Sequence, residues 1–425
     1  MEFGTKLARV LGFWALVVYG VGDILGAGIY ALIGKIAGVA GFHSWVSFGI
    51  SLVAAALTAM SYAELGSRFP RSAGAAAFCQ AGFRFEDLSL FIGWLVLCSG
   101  MVSMATVSKA FAGYVNGLWP ALPAPLLIVC FLLVLTAVNF SGMKISSGAN
   151  LLCTAVELSG LLLVIGSAAL FLARGGAVAA VPSAGPVSWG PVFQAGALAF
   201  FAFIGFEDMV NVSEEVIAPE EAMPKAILTA VAISGCLYIL IAFLAVRVVP
   251  PAELAASGAP LLEVVRTAAP AVPAGLFTLV AVFAVSNTAL LNFIMGSRLI
   301  YGMAQEKLLP AWLGAVHPRR RTPHIAILVI LAAVIGMALS GTLVHLAGTT
   351  STLILGVFFV VNGSLLLVKR RHSGFQGFQV PMAVPAMGAV TSLGLMAFLP
   401  RVSLKGTLLL IGAGLAIVLI RRFRG

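Results

Sequence analysis

The chain alternates between long apolar runs and short polar connections along almost its whole length. A run of about 20 apolar residues is long enough to cross a lipid bilayer as a helix. Twelve membrane-spanning helices are predicted, at 10–36, 41–67, 86–117, 124–142, 150–173, 190–212, 225–248, 273–302, 323–341, 343–368, 380–399 and 405–421. Because the connections are short, we expect 1–425 to form a single membrane domain.

Composition supports this interpretation, since 61% of the residues are hydrophobic and only 9% are charged. A soluble domain of this length does not need so much apolar surface, so the chain is predicted to be an all-α polytopic membrane protein surrounded by lipid. The net charge of +10 does not predict nucleic-acid binding, because the basic residues lie at the ends of the runs. The five cysteines form no CxxC pair, so no metal, cofactor or disulfide framework is expected.

The distribution of basic residues predicts an orientation. If the N-terminus is cytoplasmic, most of the 25 Lys and Arg residues fall in cytoplasmic connections. Cytoplasmic loops carry an excess of these residues. We therefore expect a cell-membrane protein with both termini in the cytoplasm.

The first run is unusual because glycines and a carboxylate interrupt its centre. Gly22, Gly26 and Gly28 are poor helix formers, and Asp23 lies among them. One interpretation is that these small residues allow close helix packing. The other is a broken helix whose freed N–H groups bind an anionic ligand group, because open backbone in a membrane must be packed in protein or line a wet cavity.

A second interruption lies in the sixth run. Gly205 stands between Phe203 and Phe206, and two carboxylates follow. The two interruptions would be equivalent if the first ten helices form two repeats of five, over 10–173 and 190–368, with 380–421 added at the end. An odd number of helices in each repeat makes the repeats inverted, and paired interruptions of this kind indicate a transporter's binding site.

Four motifs along the chain resemble those of the amino acid–polyamine–organocation superfamily of permeases, with its cationic and small neutral amino acid branches nearest. They are Gly26-Ala-Gly-Ile-Tyr30, Tyr62-Ala-Glu-Leu65, Phe200-Phe-Ala-Phe-Ile-Gly-Phe206 and Ser297-Arg-Leu-Ile-Tyr301. The resemblance implies a LeuT-like fold of inverted five-helix repeats, with helices 1 and 6 broken. It also implies secondary transport of amino acids by alternating access.

The resemblance further implies a substrate site at the two breaks. The expected site residues are Ile24, Gly26, Ala27, Gly28, Ala202, Phe203, Ile204 and Gly205, together with Asp23, which is a departure from the uncharged residue that most members of the superfamily have at that place. N–H groups of the first break would hold the substrate carboxylate, and carbonyls of the second would take its ammonium group. A half-helix start presents open donors and a half-helix end presents open acceptors, which fits both charges of an amino acid. Phe203 is expected to cover the pocket as an aromatic lid.

Ionisable residues inside the membrane are functional candidates because burying them is costly. Glu157 lies in the middle of the fifth run, where many superfamily members carry Lys, and it is a candidate proton carrier or a structural hydrogen-bonding group. Asp23 is a candidate counter-charge for an amine, a proton carrier, or a cap for the broken helix. Glu207 and Asp208 are adjacent, so we expect one to line or gate the cavity. The other is expected to meet cytoplasmic water or to pair with a base such as Arg298 or Arg68.

The coupling ion has two candidates. Ser286 and Asn287 in the eighth run could supply oxygen ligands for sodium, although polar residues also simply bridge helices. With Glu157 in the fifth run, proton coupling is favoured over sodium. Symport, exchange of an amino acid and exchange of an amine all remain open. A membrane enzyme is not favoured, because the five histidines show no HExxH or paired spacing.

Overall fold

The computed structural model describes residues 7–118, 121–176, 188–257, 259–340, 343–371, 374–398 and 404–424. These residues are nearly all helical, and a single isolated β-bridge joins Leu11 to Val216. The first seven helices are α1 Phe13–Ala40, α2 Ser44–Arg68, α3 Gly74–Phe83, α4 Glu86–Leu118, α5 Ala124–Phe140, α6 Met143–Ala173 and α7 Trp189–Phe200. The others are α8 Pro219–Val248, α9 Pro251–Ala256, α10 Pro260–Ala268, α11 Ala274–Gln305, α12 His324–Ser340, α13 Leu343–Arg371, α14 Ala383–Ala397 and α15 Leu404–Arg424.

Within the described part of the chain, eight helical segments are long and apolar enough to cross a membrane, and four shorter apolar helices accompany them. Large apolar side chains also lie on the outer surface, including Val390 and Leu409, which are 69% and 71% exposed. Such a surface is stable in lipid rather than in water. The chain is a multi-pass helical membrane protein.

Helix α1 is interrupted at Gly26, as the sequence predicts. The backbone there has φ 4° and ψ −163°, which is far from helical geometry. Helical geometry resumes after this residue, so the C-terminal part of α1 begins as a new half-helix. The first N–H groups of a half-helix have no carbonyl partners within it.

The sixth predicted span is also interrupted. Helix α7 ends at Phe200, a 3-10 turn follows over Phe201–Phe203, and a 3-10 segment then runs over Phe206–Glu215. Gly205 joins the two with φ 132°, a conformation that favours glycine because it has no Cβ. Both interruptions therefore occur at glycines.

The interrupted helices lie at the centre of the molecule. Helix α1 packs against α6, α7, α8, α9 and α11. Helix α2 packs against α7, α8 and α14, whereas α4 packs against α11, α12 and α13. The two interruptions thus lie between these groups of helices, surrounded by protein on all sides rather than by lipid.

Candidate functional site

The two interruptions contact each other directly. A Cβ atom on Gly205 would lie 2.9 Å from the Asp23 carbonyl carbon, and one on Gly28 would lie 3.0 Å from Ala202 Cα. The Tyr238 hydroxyl donates to the Ile24 carbonyl and, at 3.0 Å, to the Ala202 carbonyl. Because glycine has no Cβ, the two backbones are in contact at Gly205 and at Gly28. Tyr238 of α8 joins one interruption to the other through its hydroxyl group.

A cavity of about 380 Å³ opens beside this crossing. Sites for small molecules typically have about 300–1,000 Å³, so its size suits a small ligand. Its wall comes from α1, α4, the 201–208 segment, α11 and α13. It extends along α1 from Asp23 to Lys35, so carboxylates lie near one end and an ammonium group near the other.

Most of the residues predicted for the substrate site border this cavity. Those on the wall are Asp23, Ile24, Gly26, Gly28, Ala202, Ile204 and Gly205. The side chain of Ala27 lies outside the described residues. These neighbours come from segments about 180 residues apart in the chain, and the crossing of the two interruptions brings them together.

Phe203 is an exception to the prediction. It is fully buried and packs edge-on against Tyr238, with 5.2 Å between the ring centroids, and it does not line the cavity. Phe201 lines the cavity instead. The expected aromatic lid at Phe203 is therefore wrong, because the 3-10 turn points Phe203 into the core beside α8.

Three carboxyl groups gather at the crossing. Asp23, Glu207 and Asp208 all line the cavity, and each is at most 6% exposed. Glu207 Oε2 accepts the Gly205 N–H at 2.8 Å. Asp23 Oδ2 has no hydrogen-bond partner among the described residues.

The expectation that Glu207 or Asp208 pairs with Arg298 or Arg68 is wrong. Arg298 is fully buried and its Nε donates to Glu215 at 3.0 Å, while Arg68 donates to Glu64 at 2.6 Å. Each base is paired with a different carboxylate. Both residues of the Glu207–Asp208 pair remain on the cavity wall, where only one was expected.

Glu157 on α6 is buried but does not border the cavity. Neither of its carboxyl oxygens has a hydrogen-bond partner within the described structure. Helix α6 packs against α1, and the Tyr30 hydroxyl of α1 donates to the Glu157 backbone carbonyl at 3.2 Å. A buried anion without partners is costly, so this environment favours a carboxyl group that carries its own proton.

Asn287 lies in a compact polar network between α1, α6 and α11. Its Nδ2 donates to Thr154 Oγ1 at 3.0 Å and to the Gly22 carbonyl at 3.3 Å, and its Oδ1 accepts from Asn150 at 2.9 Å. The neighbouring Ser286 donates to Val282 of its own helix and takes no part. The Asn287 oxygen that was expected to bind sodium thus accepts from an amide donor, the Nδ2 of Asn150.

Several cavity residues were not predicted. Thr288 and Asn292 on α11 border the cavity, together with Ser99, Ser103 and Thr106 on α4. A Cβ on Gly26 would lie 2.5 Å from Thr288 Oγ1, so the α1 break rests on this side chain. The sequence signal that could have predicted the α4 part of the cavity wall was the repeat of polar residues within an otherwise apolar run.

The cavity ends on an aromatic cluster near Asp208. Phe206 stacks on Phe358 with centroids 5.3 Å apart, and Tyr62 meets both rings edge-on at 5.7 Å. These side chains come from the 206–215 segment, α13 and α2 and are fully buried. They form a closed floor on the side of the cavity opposite Lys35.

Comparison with known proteins identifies the family. The sequence profile of the family described as "Amino acid permease" matches residues 11–419. This chain belongs to the amino acid permease family. The permease is therefore a member of the amino acid–polyamine–organocation superfamily and a transporter rather than an enzyme, as the sequence motifs predicted.

Individual relatives agree with this assignment. An uncharacterized transporter of Mycobacterium tuberculosis is 32% identical over 99% of the permease and 93% of its own length. A branched-chain amino acid permease of Bacillus subtilis is 29% identical over 76% of the permease and 72% of its own length. The mouse cationic amino acid transporter 4 is 30% identical over 79% of the permease and 56% of its own length.

Proposed function

We propose that the permease is a secondary transporter that moves an amino acid across the cell membrane by alternating access, in symport with a proton. Membership of the family supports amino acid transport. The observation that carries the finer proposal is the crossing of two interrupted helices beside a cavity of about 380 Å³. At this crossing, open N–H donors of one half-helix lie beside open carbonyl acceptors of another. These groups suit the carboxylate and the ammonium of an amino acid.

The proposed architecture has twelve membrane-spanning helices. The eight long and four shorter apolar helices within the described residues are compatible with that number. Residues 10–173 and 190–368 would form two repeats of five helices each, with opposite orientations in the membrane, as in a LeuT-like fold. Residues 380–421 would lie outside both repeats. Both termini would be cytoplasmic.

In the proposed site, N–H groups after Gly26 hold the substrate carboxylate. Carbonyls before Gly205 lie at the end of a helix and carry the opposite partial charge. The Ala202 carbonyl already accepts from Tyr238, so Ile204 and the carboxylates of the cavity are the better acceptors for the substrate ammonium. Thr288, beside Gly26, would orient the bound carboxylate.

Glu157 is the proposed proton carrier. Its carboxyl oxygens lack hydrogen-bond partners among the described residues, and its backbone carbonyl accepts from Tyr30 of α1 at 3.2 Å. A proton on Glu157 would therefore favour the arrangement of α1 that binds substrate. Sodium is the less favoured coupling ion, because Asn287 and the Gly22 carbonyl are already joined by a hydrogen bond of 3.3 Å.

Exchange of an amine is the second candidate function. Asp23, Glu207 and Asp208 give the cavity three carboxyl groups, more than a neutral amino acid needs. Such a wall favours a substrate with an additional cationic group.

Uptake into proteoliposomes tests the proposal. Amino acids and amines are supplied one at a time, with and without an inwardly directed proton gradient, and then with a sodium gradient. Symport predicts that the proton gradient drives accumulation above the external concentration while sodium does not. Uptake that requires a related compound inside the vesicle would establish exchange instead, and absence of uptake for every compound would contradict amino acid transport.

A further inference from the structure

A cluster of basic side chains lies at one end of three neighbouring helices. Lys144 lies in the first turn of α6, and Arg319, Arg320 and Arg321 stand just before α12. The Arg320 Nη1 donates at 3.1 Å to Ser141 Oγ, in the connection between α5 and α6. Helix α5 packs against both α6 and α12. Two basic segments that are distant in the chain therefore meet at the same end of these helices.

The connection before α12 is fixed against the end of α5. The guanidinium carbon of Arg320 lies 5.0 Å from the centroid of the Phe140 ring, and the Arg320 backbone N–H donates to His317 Nδ1 at 3.2 Å. Thr322 Oγ1 donates to the Phe140 carbonyl at 3.2 Å. These contacts hold the arginines at the surface instead of letting them extend into solvent.

Three bases of this cluster have no carboxylate partner. Other bases of the chain form ion pairs with Asp or Glu, whereas Lys144, Arg319 and Arg320 form none within the described ranges. The sequence explains the difference, because it contains no Asp or Glu at 88–156 or at 307–425. Positive charge that the protein itself does not balance attracts an anionic ligand.

The surface beside the cluster is apolar. Ile145 follows Lys144 on α6, Leu133 and Val134 lie on α5, and Leu328 lies on α12. These four apolar side chains are all at least 50% exposed. In a multi-pass membrane protein such side chains face lipid. A molecule bound at the cluster would thus meet cations at one end and an apolar helix surface at the other.

An exposed tryptophan lies in the same connection as the arginines. Trp312 is 60% exposed in the 3-10 turn Ala311–Gly314 between α11 and α12. Tryptophan is enriched where the lipid headgroups meet water, because its ring is amphipathic. This side chain indicates that the connection lies at the level of the headgroups, where lipid phosphates are found.

We propose that Lys144, Arg319 and Arg320 bind the phosphate headgroup of an anionic phospholipid, whose acyl chains lie along the exposed face of α5. Arginine offers paired N–H donors to phosphate oxygens, and lysine adds a compact positive charge. A free phosphate ion would leave the apolar surface unused, so the lipid is the better match. With the proposed cytoplasmic termini, the cluster faces the leaflet that carries anionic lipids.

This inference is independent of the substrate and of the coupling ion. None of the three bases lines the cavity between the helix interruptions. A bound headgroup would join the first turn of α6 to the connection before α12, so the lipid should also raise the unfolding temperature.

Native mass spectrometry of the purified permease in detergent tests the inference. Phosphatidylglycerol and phosphatidylcholine with identical acyl chains are titrated separately, and the fraction of protein that carries lipid gives the affinity of each. Glycerol 1-phosphate serves as a soluble probe with the phosphate but without acyl chains. Each cation contributes about fivefold to affinity for an anionic lipid, so phosphatidylglycerol should bind about 100-fold more tightly than phosphatidylcholine. Glycerol 1-phosphate should bind far more weakly than phosphatidylglycerol.

Substitution of the three bases should remove this preference. Lys144→Gln, Arg319→Gln and Arg320→Gln should each lower it about fivefold, and the triple variant should bind both lipids about equally. The matched control replaces three exposed arginines elsewhere with Gln, which gives the same change in net charge. These are Arg174 at the other end of α6, Arg247 in α8 and Arg266 in α10. The control should keep the preference of the unmodified protein.

Several results would overturn the inference. They are equal affinity of the unmodified permease for both lipids, an unchanged preference in the triple variant, and an equal loss in the control. Glycerol 1-phosphate that binds as tightly as phosphatidylglycerol would also overturn it, because the acyl chains would then contribute nothing. Unfolding temperatures measured without added lipid establish that the variants are folded. If the triple variant does not fold, Arg319→Gln decides, since Arg319 is exposed and its substitution leaves the packing intact.

Discussion

Gly205 satisfies two constraints that any other residue would violate. Its φ of 132° favours glycine, and an added Cβ would lie 2.9 Å from the Asp23 carbonyl carbon. Strained backbone of this kind costs about 1–3 kcal/mol for a residue with a side chain. Gly205→Ala should therefore lower the thermal unfolding temperature and reduce uptake at least about tenfold, since the α1 contact must open.

Gly166→Ala is the matched control for this prediction. Gly166 lies inside α6, and a Cβ there would meet nothing within 4 Å. Alanine in a helix interior is favoured over glycine by about 0.5–1 kcal/mol, so this variant should be as stable as the unmodified protein or more so. Equal uptake and unfolding temperatures for both variants would contradict the proposed close contact.

Glu157 provides the second test at the scale of one residue. Gln keeps the shape of the side chain but cannot gain or lose a proton. Glu157→Gln should retain substrate binding and downhill uptake, and lose accumulation driven by a proton gradient, as measured in proteoliposomes. Glu253→Gln removes a carboxylate from α9 and should leave accumulation unchanged. Normal proton-driven accumulation by the Glu157 variant would exclude this residue as the proton carrier.

Residues near the breaks also mark the limit of sequence-based prediction. Gly26 and Gly205 were predictable, because glycines and carboxylates within apolar runs indicate interrupted helices. The choice between Phe201 and Phe203 was not, because it depends on how one 3-10 turn directs its side chains. The placement of both Glu207 and Asp208 on the cavity wall was also not predicted, since a one-dimensional pattern does not reveal which carboxylates reach the same surface.

Elements are held together by ion pairs that join distant parts of the chain. Arg298 on α11 is fully buried against Glu215, 83 residues earlier, and it also donates to Asn139 on α5. The sequence predicted a functional Arg298 motif but not this partner. The pair fixes the 206–215 segment beside α11, and with it the position of Asp208 at the cavity.

Removal of one member of this pair should be strongly destabilising. Losing one partner of a buried ion pair costs about 3–5 kcal/mol, because a buried charge is left alone. Glu215→Gln should lower the unfolding temperature of the purified permease markedly. Glu263→Gln breaks the exposed pair with Arg266 on α10, which is worth about 0–1 kcal/mol, and should have little effect. Equal shifts for both variants would contradict the structural role of Glu215.

At the scale of the whole molecule, the closed and open ends of the cavity lie on different sides. The aromatic cluster of Tyr62, Phe206 and Phe358 lies beyond Asp208, and the cavity extends the other way toward Lys35. Glu64 binds both Arg68 and Lys369 near the closed side. With the proposed cytoplasmic termini, this arrangement corresponds to a state that is closed toward the cytoplasm. Opening that side requires α2, α13 and the 206–215 segment to separate.

The proposed orientation is tested by labelling single cysteines. With the five native cysteines replaced by alanine, one cysteine is introduced at the half-buried Glu263 on α10 and another at the exposed Arg319 between α11 and α12. Since α11 lies between them, a membrane-impermeant maleimide added to intact cells should label Glu263→Cys and leave Arg319→Cys unlabelled until the cells are opened. The reverse pattern would invert the topology and make the closed end of the cavity face outward. Labelling of both cysteines from one side would mean that α11 does not cross the membrane. Thr288 and Asn292 of α11 could then not be placed in the middle of the membrane.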